Sequence, residues 1–176
     1  MEVYLIRHTS VDVPKGTCYG FTDVPLRDTF EAEATITKQN LEGIVFDCTF
    51  SSPLSRATRL AAFCGFPDAI RDDRLKEMNM GNWEMLRFDK ISDERLQQWY
   101  NDFLNEPTTG GESFKDLYQR VADFLDELRT KNYQRIAIFA HGGVLICAQA
   151  YAGIVALEDG FDNLTPYGGV IKIEIK

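Results

Sequence analysis

Two continuous apolar runs are the clearest pattern in this chain. Residues 3–6 and residues 136–140 are both rich in β-branched or aromatic side chains. Runs of this kind are typical of parallel strands that are buried on both faces. The first run leads into Arg7 and His8, and the second leads into His141. Each of the two histidines in the sequence is therefore predicted to lie at the end of a buried strand.

Weaker patterns between these runs predict an alternation of strands and helices. Residues 47–51 and 69–72 are predicted as short strands, and the alternating residues 170–175 as a half-exposed strand. Such an alternation favours an α/β fold with a parallel sheet. Helices are predicted at residues 29–41, 52–63, 92–104, 113–130 and 144–152.

One predicted helix has clear start and stop signals. Ser52 fits the N-cap, Pro53 the first turn, and Gly65 the stop. Arg56 is therefore predicted in the first helical turn, where free backbone N–H groups and the helix dipole favour anions. An arginine there strengthens phosphate or carboxylate recognition. A surface arginine beside Arg59 fits the same position equally well.

Two segments are predicted to lack regular structure. Residues 9–28 are rich in turn-forming residues, and a loop of this length in a compact domain is more often functional than a simple connection. Residues 75–85 have mixed periodicity and are predicted to cross the edge of the sheet as a loop.

Composition excludes several classes of function. The net charge is −8, so a general nucleic-acid or membrane-surface binder is not expected, although local arginines can still bind a small anion. No apolar stretch is long enough to span a bilayer and no signal segment is evident, so we expect a cytoplasmic protein. The four cysteines form no Cys-x-x-Cys pair, which argues against a zinc site. We expect one domain over residues 1–176.

The strand ends are where chemistry is expected. In an open α/β sheet, ligands bind outside the carboxyl ends of the strands, so His8 and His141 are predicted to meet at one edge. Arg7 accompanies the first histidine, and Gly142 and Gly143 follow the second. A lone histidine after a strand is more often structural, but two histidines beside anion-binding features favour a site for an anionic substrate.

Four motifs in sequence order carry a resemblance to a known family. The chain resembles the histidine phosphatase superfamily, in its phosphoglycerate mutase-like branch 1, over essentially its whole length. That resemblance implies a three-layer α/β/α sandwich with a mostly parallel central sheet. The motifs are Arg7-His8, Ser52-x-x-x-Arg56, Glu77-x-x-x-Gly-x-Trp-Glu, and His141-Gly142-Gly143.

The resemblance implies a role for each matched residue. His8 is expected to be the nucleophile that forms a phosphohistidine. Arg7, Arg56 and His141 are expected to bind the phosphoryl oxygens. Glu77 is expected to protonate the leaving oxygen and then to deprotonate water. From the residues alone Glu84 is an equal candidate for that acid, and the family pattern favours Glu77. Neither a metal nor a cofactor is implied.

The sequence departs from the family pattern in the first loop. Thr9 stands where glycine is usual, and Pro14 is nearest to the place of a phosphate-binding asparagine. Thr9, Ser10 or the backbone amides near residues 20–22 are the candidates to contact phosphate instead. The chain also lacks the long insertions of true mutases, which favours hydrolysis.

Within the superfamily, three segments are most similar to those of α-ribazole-5′-phosphate phosphatases. The three segments are residues 20–26, 81–85 and 110–114. The expected partner is therefore a small phosphorylated substrate, with no nucleic acid, no membrane and an unspecified oligomeric state. Alternatives are a broad sugar-phosphate phosphatase, a phosphoglycerate mutase-like enzyme, or a non-catalytic phosphate-binding module. The residues predicted to line the substrate pocket are Gly20, Phe21, Thr22 and Trp83.

Overall fold

The computed structural model describes residues 1–176 as a layered α/β structure. Its five strands are β1 (Glu2–Arg7), β2 (Cys48–Ser51), β3 (Ile70–Arg71), β4 (Arg135–Ala140) and β5 (Val170–Glu174). Its five α-helices are α1 (Phe30–Asn40), α2 (Ser55–Phe63), α3 (Arg95–Asn101), α4 (Phe114–Arg129) and α5 (Gly142–Tyr151).

The strands form one sheet in the order β3-β2-β4-β1-β5. All neighbouring pairs are parallel except β1 and β5, which are antiparallel. In the β1–β4 pair Arg7 lies opposite Ala140, so the next residue of each strand leaves the sheet at the same edge. The predicted, mostly parallel α/β sheet is therefore confirmed.

The two faces of the sheet have separate apolar cores, because side chains alternate along each strand. On one face Leu5 and Ile138 pack with residues of α4 and α5. On the other face Ile6 and Phe139 pack with residues of α1 and α2. This three-layer arrangement explains why β1 and β4 are continuous apolar runs.

The start of α2 differs from the prediction. The helix begins at Ser55 with Leu54 in the N-cap position, so Ser52 is not its cap. Asp23 acts there instead, because its carboxylate accepts hydrogen bonds from the backbone N–H and the hydroxyl of Ser55. The cap comes from a loop that is remote in sequence, which a local pattern does not reveal. Arg56 still lies in the first turn, as predicted.

Other boundaries differ less. Helix α3 is shorter than predicted, and the 3₁₀ segment Leu157–Asn163 was not predicted. The capping box at the start of α4 joins Ser113 and Asp116, and it fixes the first residue of that helix.

The two predicted loops pack against each other. Residues 9–28 are closed by a bridge between Val11 and Leu26, and they meet the second loop through a hydrogen bond from Met85 N–H to the carbonyl oxygen of Cys18 at 2.7 Å. Cys18 is buried, although it lies in a polar part of the first loop. None of the helices is both long enough and apolar enough to cross a bilayer.

Candidate active site

The β1–β4 register brings the two histidines together. His8 and His141 each follow one member of the last residue pair of the two strands, and their ring centroids are 5.2 Å apart. Both side chains are almost completely buried. The predicted meeting of the two imidazoles at one sheet edge is therefore confirmed. We call His8, His141, Arg7, Arg56 and Glu77 the histidine cluster.

The tautomer of His8 is set by its own loop. Its Nδ1–H donates a hydrogen bond to the carbonyl oxygen of Thr9 at 2.7 Å, so Nε2 keeps its lone pair. Burial and the positive charge of Arg56 lower the pKa of His8 to about 3. His8 is therefore neutral near pH 7, with an unprotonated nitrogen available for attack.

Arg7 has an unused donor beside the histidines. Its Nη1 donates to the carbonyl oxygen of Thr165 at 2.7 Å, and its guanidinium lies 4.1 Å from the ring centre of Tyr167. Its Nε is buried and has no hydrogen-bond partner. A buried N–H without a hydrogen-bond partner destabilises the fold. Such a group is expected at a site where a bound ligand supplies the missing acceptor.

Arg56 is completely buried, with 0% of its surface exposed. Its Nη2 and Nη1 donate to the carbonyl oxygens of Gly20 and Thr22 at 2.6 and 2.8 Å. Its Nε donates to Nδ1 of His141 at 3.2 Å. Burial lowers the pKa of Arg56, and the charge of Glu77 opposes that effect. The guanidinium is therefore a fixed positive charge, and it has further N–H donors that are available to bind an anion.

Both ring nitrogens of His141 are bound to protein groups. Because Nδ1 accepts from Arg56, the proton of the neutral ring lies on Nε2, which donates to the hydroxyl oxygen of Ser52 at 2.8 Å. Burial and the charge of Arg56 place the pKa of His141 well below its ordinary value. In this state His141 orients Arg56. For His141 to bind phosphate directly, its Nδ1 must exchange the hydrogen bond with Arg56 for one with the phosphate.

The glycine pair after His141 makes room for two charged side chains. A Cβ atom at Gly142 would lie 3.2 Å from Arg7 Nε, and one at Gly143 would lie 2.3 Å from Glu77 Oε1. The backbone N–H of Gly143 donates to Glu77 Oε2 at 3.0 Å, at the N-terminus of α5. The absence of side chains at both positions therefore lets Arg7 and Glu77 approach the histidines.

Sequence reasoning missed an arginine that orders the segment carrying Glu77. Arg120 of α4 donates to the carbonyl oxygens of Arg74, Lys76 and Glu77 at 2.8, 2.6 and 2.8 Å. Glu112 anchors Arg120 through its two carboxylate oxygens at 2.8 and 2.9 Å. No local motif signals this role, because the two partners lie in different elements.

The structure separates the two candidate acids. Glu77 borders an open cavity, whereas Glu84 does not. The carboxylate of Glu84 instead accepts hydrogen bonds from the backbone N–H groups of Gly20, Phe21 and Thr22. Those amides were among the predicted phosphate contacts, and they are already occupied.

The other predicted substitutes for the missing asparagine have mixed placements. Ser10 donates to Glu33 through both its backbone N–H and its hydroxyl, at 3.0 and 2.6 Å, so it is directed at α1. Thr9 is fully buried, and its hydroxyl oxygen has no partner. A phosphate contact from Thr9 therefore stays a prediction.

A cavity of about 230 Å³ adjoins the histidine cluster. Arg7 and Glu77 form its charged side, together with Tyr19 and the glycine pair. We call its apolar part the side cavity. The side cavity is lined by Met78, Met80, Phe88, Trp99, Phe114, Phe161 and Leu164.

The predicted pocket residues require correction. Trp83 is 1% exposed, does not line this cavity, and donates its indole N–H to Asp93 at 2.8 Å. The ring of Phe21 faces the cation of Lys76 at 5.3 Å instead. Gly20 and Thr22 act through their carbonyl groups on Arg56. The aromatic rings that line this cavity belong instead to Phe88, Trp99, Phe114 and Phe161.

Residues 1–176 contain no group of three or more His, Cys, Asp or Glu side chains that could hold a metal ion.

Comparisons with known proteins agree with this geometry. The model of the histidine phosphatase superfamily (branch 1) matches residues 3–176. Two similar curated sequences are phosphoserine phosphatase 1 of Hydrogenobacter thermophilus (27% identity, 80% of this chain and 71% of the relative) and a protein of Escherichia coli named probable phosphoglycerate mutase (30% identity, 84% and 72%). A similar solved structure is the α-ribazole phosphatase of Shigella flexneri, with a TM-score of 0.90 and 28% identity over 100% of this chain and 91% of that one.

Proposed function

This chain belongs to the histidine phosphatase superfamily (branch 1), and from that premise we propose that it is a metal-independent phosphomonoesterase that acts through a phosphohistidine. One observation carries the proposal. His8 presents an unprotonated Nε2 beside the buried side chains of His141 and Arg56 and the partly buried side chain of Arg7.

In the first step the lone pair of His8 Nε2 forms a bond to phosphorus while the bond from phosphorus to the leaving oxygen breaks. Arg7 and Arg56 balance the negative charge of the phosphoryl oxygens, and Arg7 Nε gains the acceptor that it lacks. Binding of the phosphate dianion also favours uptake of a proton from solvent by His141, whose Nδ1 then donates to the anion and no longer accepts from Arg56; this proton returns to solvent when phosphate leaves. A proton taken up from solvent together with the substrate dianion passes through Glu77 to the leaving oxygen, and Glu77 is left as a carboxylate.

In the second step water attacks the phosphohistidine. The Glu77 carboxylate takes a proton from that water, the N–P bond breaks, and inorganic phosphate leaves. His8 returns to its neutral state with the same tautomer, because the carbonyl oxygen of Thr9 keeps its bond to Nδ1–H. Covalent catalysis thus replaces one difficult displacement by two easier ones.

We propose α-ribazole 5′-phosphate as the substrate, which places the reaction in assembly of the cobalamin nucleotide loop. The similarity to an α-ribazole phosphatase structure supports this choice. The side cavity supports it as well, because its aromatic and Met side chains suit a heteroaromatic base. Phosphoserine and phosphoglycerate carry further charges, and Arg7 and Glu77 are the only charged side chains that line the cavity.

A broad phosphatase or a mutase is the second candidate, since similar sequences include a phosphoserine phosphatase and a probable phosphoglycerate mutase. Steady-state kcat/KM values for ribazole phosphate, phosphoserine, sugar phosphates and phosphoglycerates distinguish these substrates. A preference of at least tenfold for ribazole phosphate is expected. A preference for phosphoserine, or net phosphoryl transfer between phosphoglycerates, would reject ribazole phosphate as the substrate in favour of the second candidate.

We also propose that the enzyme works in the cytoplasm on a small metabolite, without nucleic acid or membrane as a partner. Four unpaired cysteines and a net charge of −8 support this view.

The mechanism is tested by substitution and by trapping. His8→Ala is expected to abolish turnover of every phosphomonoester, and rapid quenching without acid should trap the phosphoryl label on His8 of the wild type. A chelator should leave the rate unchanged. Activity that survives in His8→Ala rejects the mechanism, and tight phosphate binding by a wild type without hydrolysis identifies a non-catalytic binding module.

A further inference from the structure

The orientation of Arg56 depends on a three-residue loop. The carbonyl groups of Gly20 and Thr22 accept hydrogen bonds from its Nη2 and Nη1. We call residues 20–22 the arginine loop. The guanidinium is fully buried, so these carbonyl groups define two of its donor directions. A shift of the loop would therefore turn Arg56 relative to His8.

The opposite side of the arginine loop is held by one carboxylate. Glu84 Oε1 accepts from the backbone N–H groups of Gly20, Phe21 and Thr22 at 3.0, 2.5 and 2.9 Å, and Oε2 also accepts from Gly20 at 2.8 Å. Consecutive backbone N–H groups that converge in this way form an anion-binding concavity. Hydrogen bonds to an ionised acceptor are about twice as strong as neutral ones, so the contact is a firm anchor.

Both ends of this connection are fixed. The two residues that follow Glu84 pair with Cys18. The N–H of Met85 donates to the carbonyl oxygen of Cys18 at 2.7 Å, and the N–H of Cys18 donates to the carbonyl oxygen of Leu86 at 2.8 Å. Met85 has the only positive φ among non-glycine residues, at 67°, and this turn directs the chain back along the loop. A Cβ atom at Gly20 would lie 1.7 Å from the carbonyl oxygen of Met78, so the loop has no room to shift towards it.

We infer that Glu84 is a positioning residue, whose carboxylate holds the arginine loop so that the loop carbonyls hold Arg56 in the geometry that binds a phosphoryl group. The inference rests on the proposed function for the identity of the anion. It also explains why the amides of the arginine loop do not serve the substrate: an internal carboxylate already fills them.

The chemistry of the contact predicts which substitutions break it. In Glu84→Gln an NH₂ donor replaces one carboxylate oxygen and faces the N–H of Gly20, and the remaining oxygen is neutral, so it holds the three converging N–H groups less firmly. One or more loop amides would lose its partner and the loop would move. A misplacement of about 1 Å in a reacting group can cost on the order of 10²-fold in rate.

The structure offers a matched control on the other edge of the sheet. Asp47 Oδ2 accepts from the backbone N–H groups of Gln134 and Arg135 at 2.6 and 2.8 Å, at the start of β4. This carboxylate also clamps consecutive amides, but it lies at the amino end of the strands, away from the histidine cluster. Asp47→Asn therefore measures the cost of losing a clamp without a connection to Arg56.

Calorimetric titration with inorganic phosphate, together with the melting temperature, tests the inference. We expect Glu84→Gln to weaken phosphate binding at least tenfold and to lower kcat/KM by about 10²-fold. Asp47→Asn should leave both values unchanged at a comparable loss of melting temperature. Unchanged phosphate affinity in Glu84→Gln overturns the inference, as does an equal loss in Asp47→Asn.

Two further measurements cover a variant that folds poorly. Glu84→Asp keeps the charge but shortens the side chain by one methylene, so it should fold and still weaken phosphate binding. Formate added to Glu84→Ala should restore part of the lost activity, and it should not change the activity of Asp47→Ala. Full phosphate affinity in Glu84→Asp, or the absence of formate rescue, counts against the inference. A wild type that binds phosphate but hydrolyses nothing refutes the proposed function and leaves the phosphate comparison valid.

Discussion

The histidine cluster and the side cavity lie side by side but are built in opposite ways. In the histidine cluster, His8, Arg56 and His141 are buried and hydrogen-bonded to protein groups, and the two arginines keep N–H groups for an anion. The side cavity is apolar, and its walls come from short turns, α3, the first residue of α4 and the 3₁₀ segment Leu157–Asn163. The contrast indicates a division of labour, in which strand ends position the reacting groups and loops select the leaving group.

A substitution in the histidine cluster should give the largest effect. Glu77→Gln is expected to lower kcat for an alkyl phosphate by about 10²–10⁴-fold, because the leaving oxygen loses its proton donor. The leaving group of p-nitrophenyl phosphate needs no proton, so the variant should release one nitrophenolate per enzyme in a burst. Turnover should then be slow, because hydrolysis of the phosphohistidine lacks its base. Gly143→Ala should resemble Glu77→Gln, since a Cβ atom there would lie 2.3 Å from Glu77 Oε1. A loss of less than tenfold for the alkyl phosphate would contradict the assigned role of Glu77.

A substitution in the side cavity should change selectivity. Trp99→Ala or Phe161→Ala is expected to raise KM for ribazole phosphate about tenfold or more, because stacking of a base on an aromatic ring is worth ~1–3 kcal/mol. The KM for a small alkyl phosphate should change little. Steady-state kinetics on both substrates measure the difference.

Trp83 provides the control for that experiment, because it packs against Trp99 but does not line the cavity. Trp83→Ala should lower the free energy of unfolding by about 3–5 kcal/mol without changing the ratio of the two KM values. Equal KM effects on both substrates in Trp99→Ala and Phe161→Ala would break the comparison between the two regions.

The smallest predicted effect is on the pH dependence of stability. The folded-state pKa of His8 is about 3, below the unfolded value of about 6.5. Between these values the unfolded chain binds a proton that the native state does not, so stability is complete above about pH 6.5 and is lost as the pH falls towards 3. His141 acts in the same direction.

Urea unfolding of the wild type and His8→Asn from pH 7.5 to pH 4.5 measures this effect. Each buried neutral histidine adds at most ~1.4 kcal/mol per pH unit to the slope of the unfolding free energy. The variant should therefore show a shallower slope than the wild type. The difference between the two proteins removes the shared contribution of the carboxylates, and identical slopes would show that His8 is not held neutral by burial.

Much of the fold was predictable, for a local reason. Parallel strands β1 and β4 are buried on both faces, so their sequences are continuous apolar runs that can be recognised without any partner. The same holds for α4, whose apolar stripe and capping box lie within its own sequence. The start of α2 was not predictable, because Asp23 caps it from a distance of 32 residues along the chain.

The candidate site divides in the same way. His8, Arg7, His141 and Arg56 were found because strand ends and the first turn of a helix are visible in the sequence. From the residues alone Glu77 and Glu84 could not be distinguished, because both are acidic residues in one irregular segment, and only the family pattern favoured Glu77. The structure places the two carboxylates against different partners, which belong to α5 for Glu77 and to the arginine loop for Glu84.

The sequence by itself determined the alternation of strands and helices, the placement of a histidine at each buried strand end, and the family resemblance that assigns roles to them. These properties depend on neighbours within a few positions, so local patterns record them. Only the tertiary structure decided which carboxylate faces the cavity, which aromatic rings line it, and that one carboxylate holds the loop that orients Arg56. Those properties depend on contacts between distant segments, whose directions are set by packing of the layers and not by the residues adjacent in sequence.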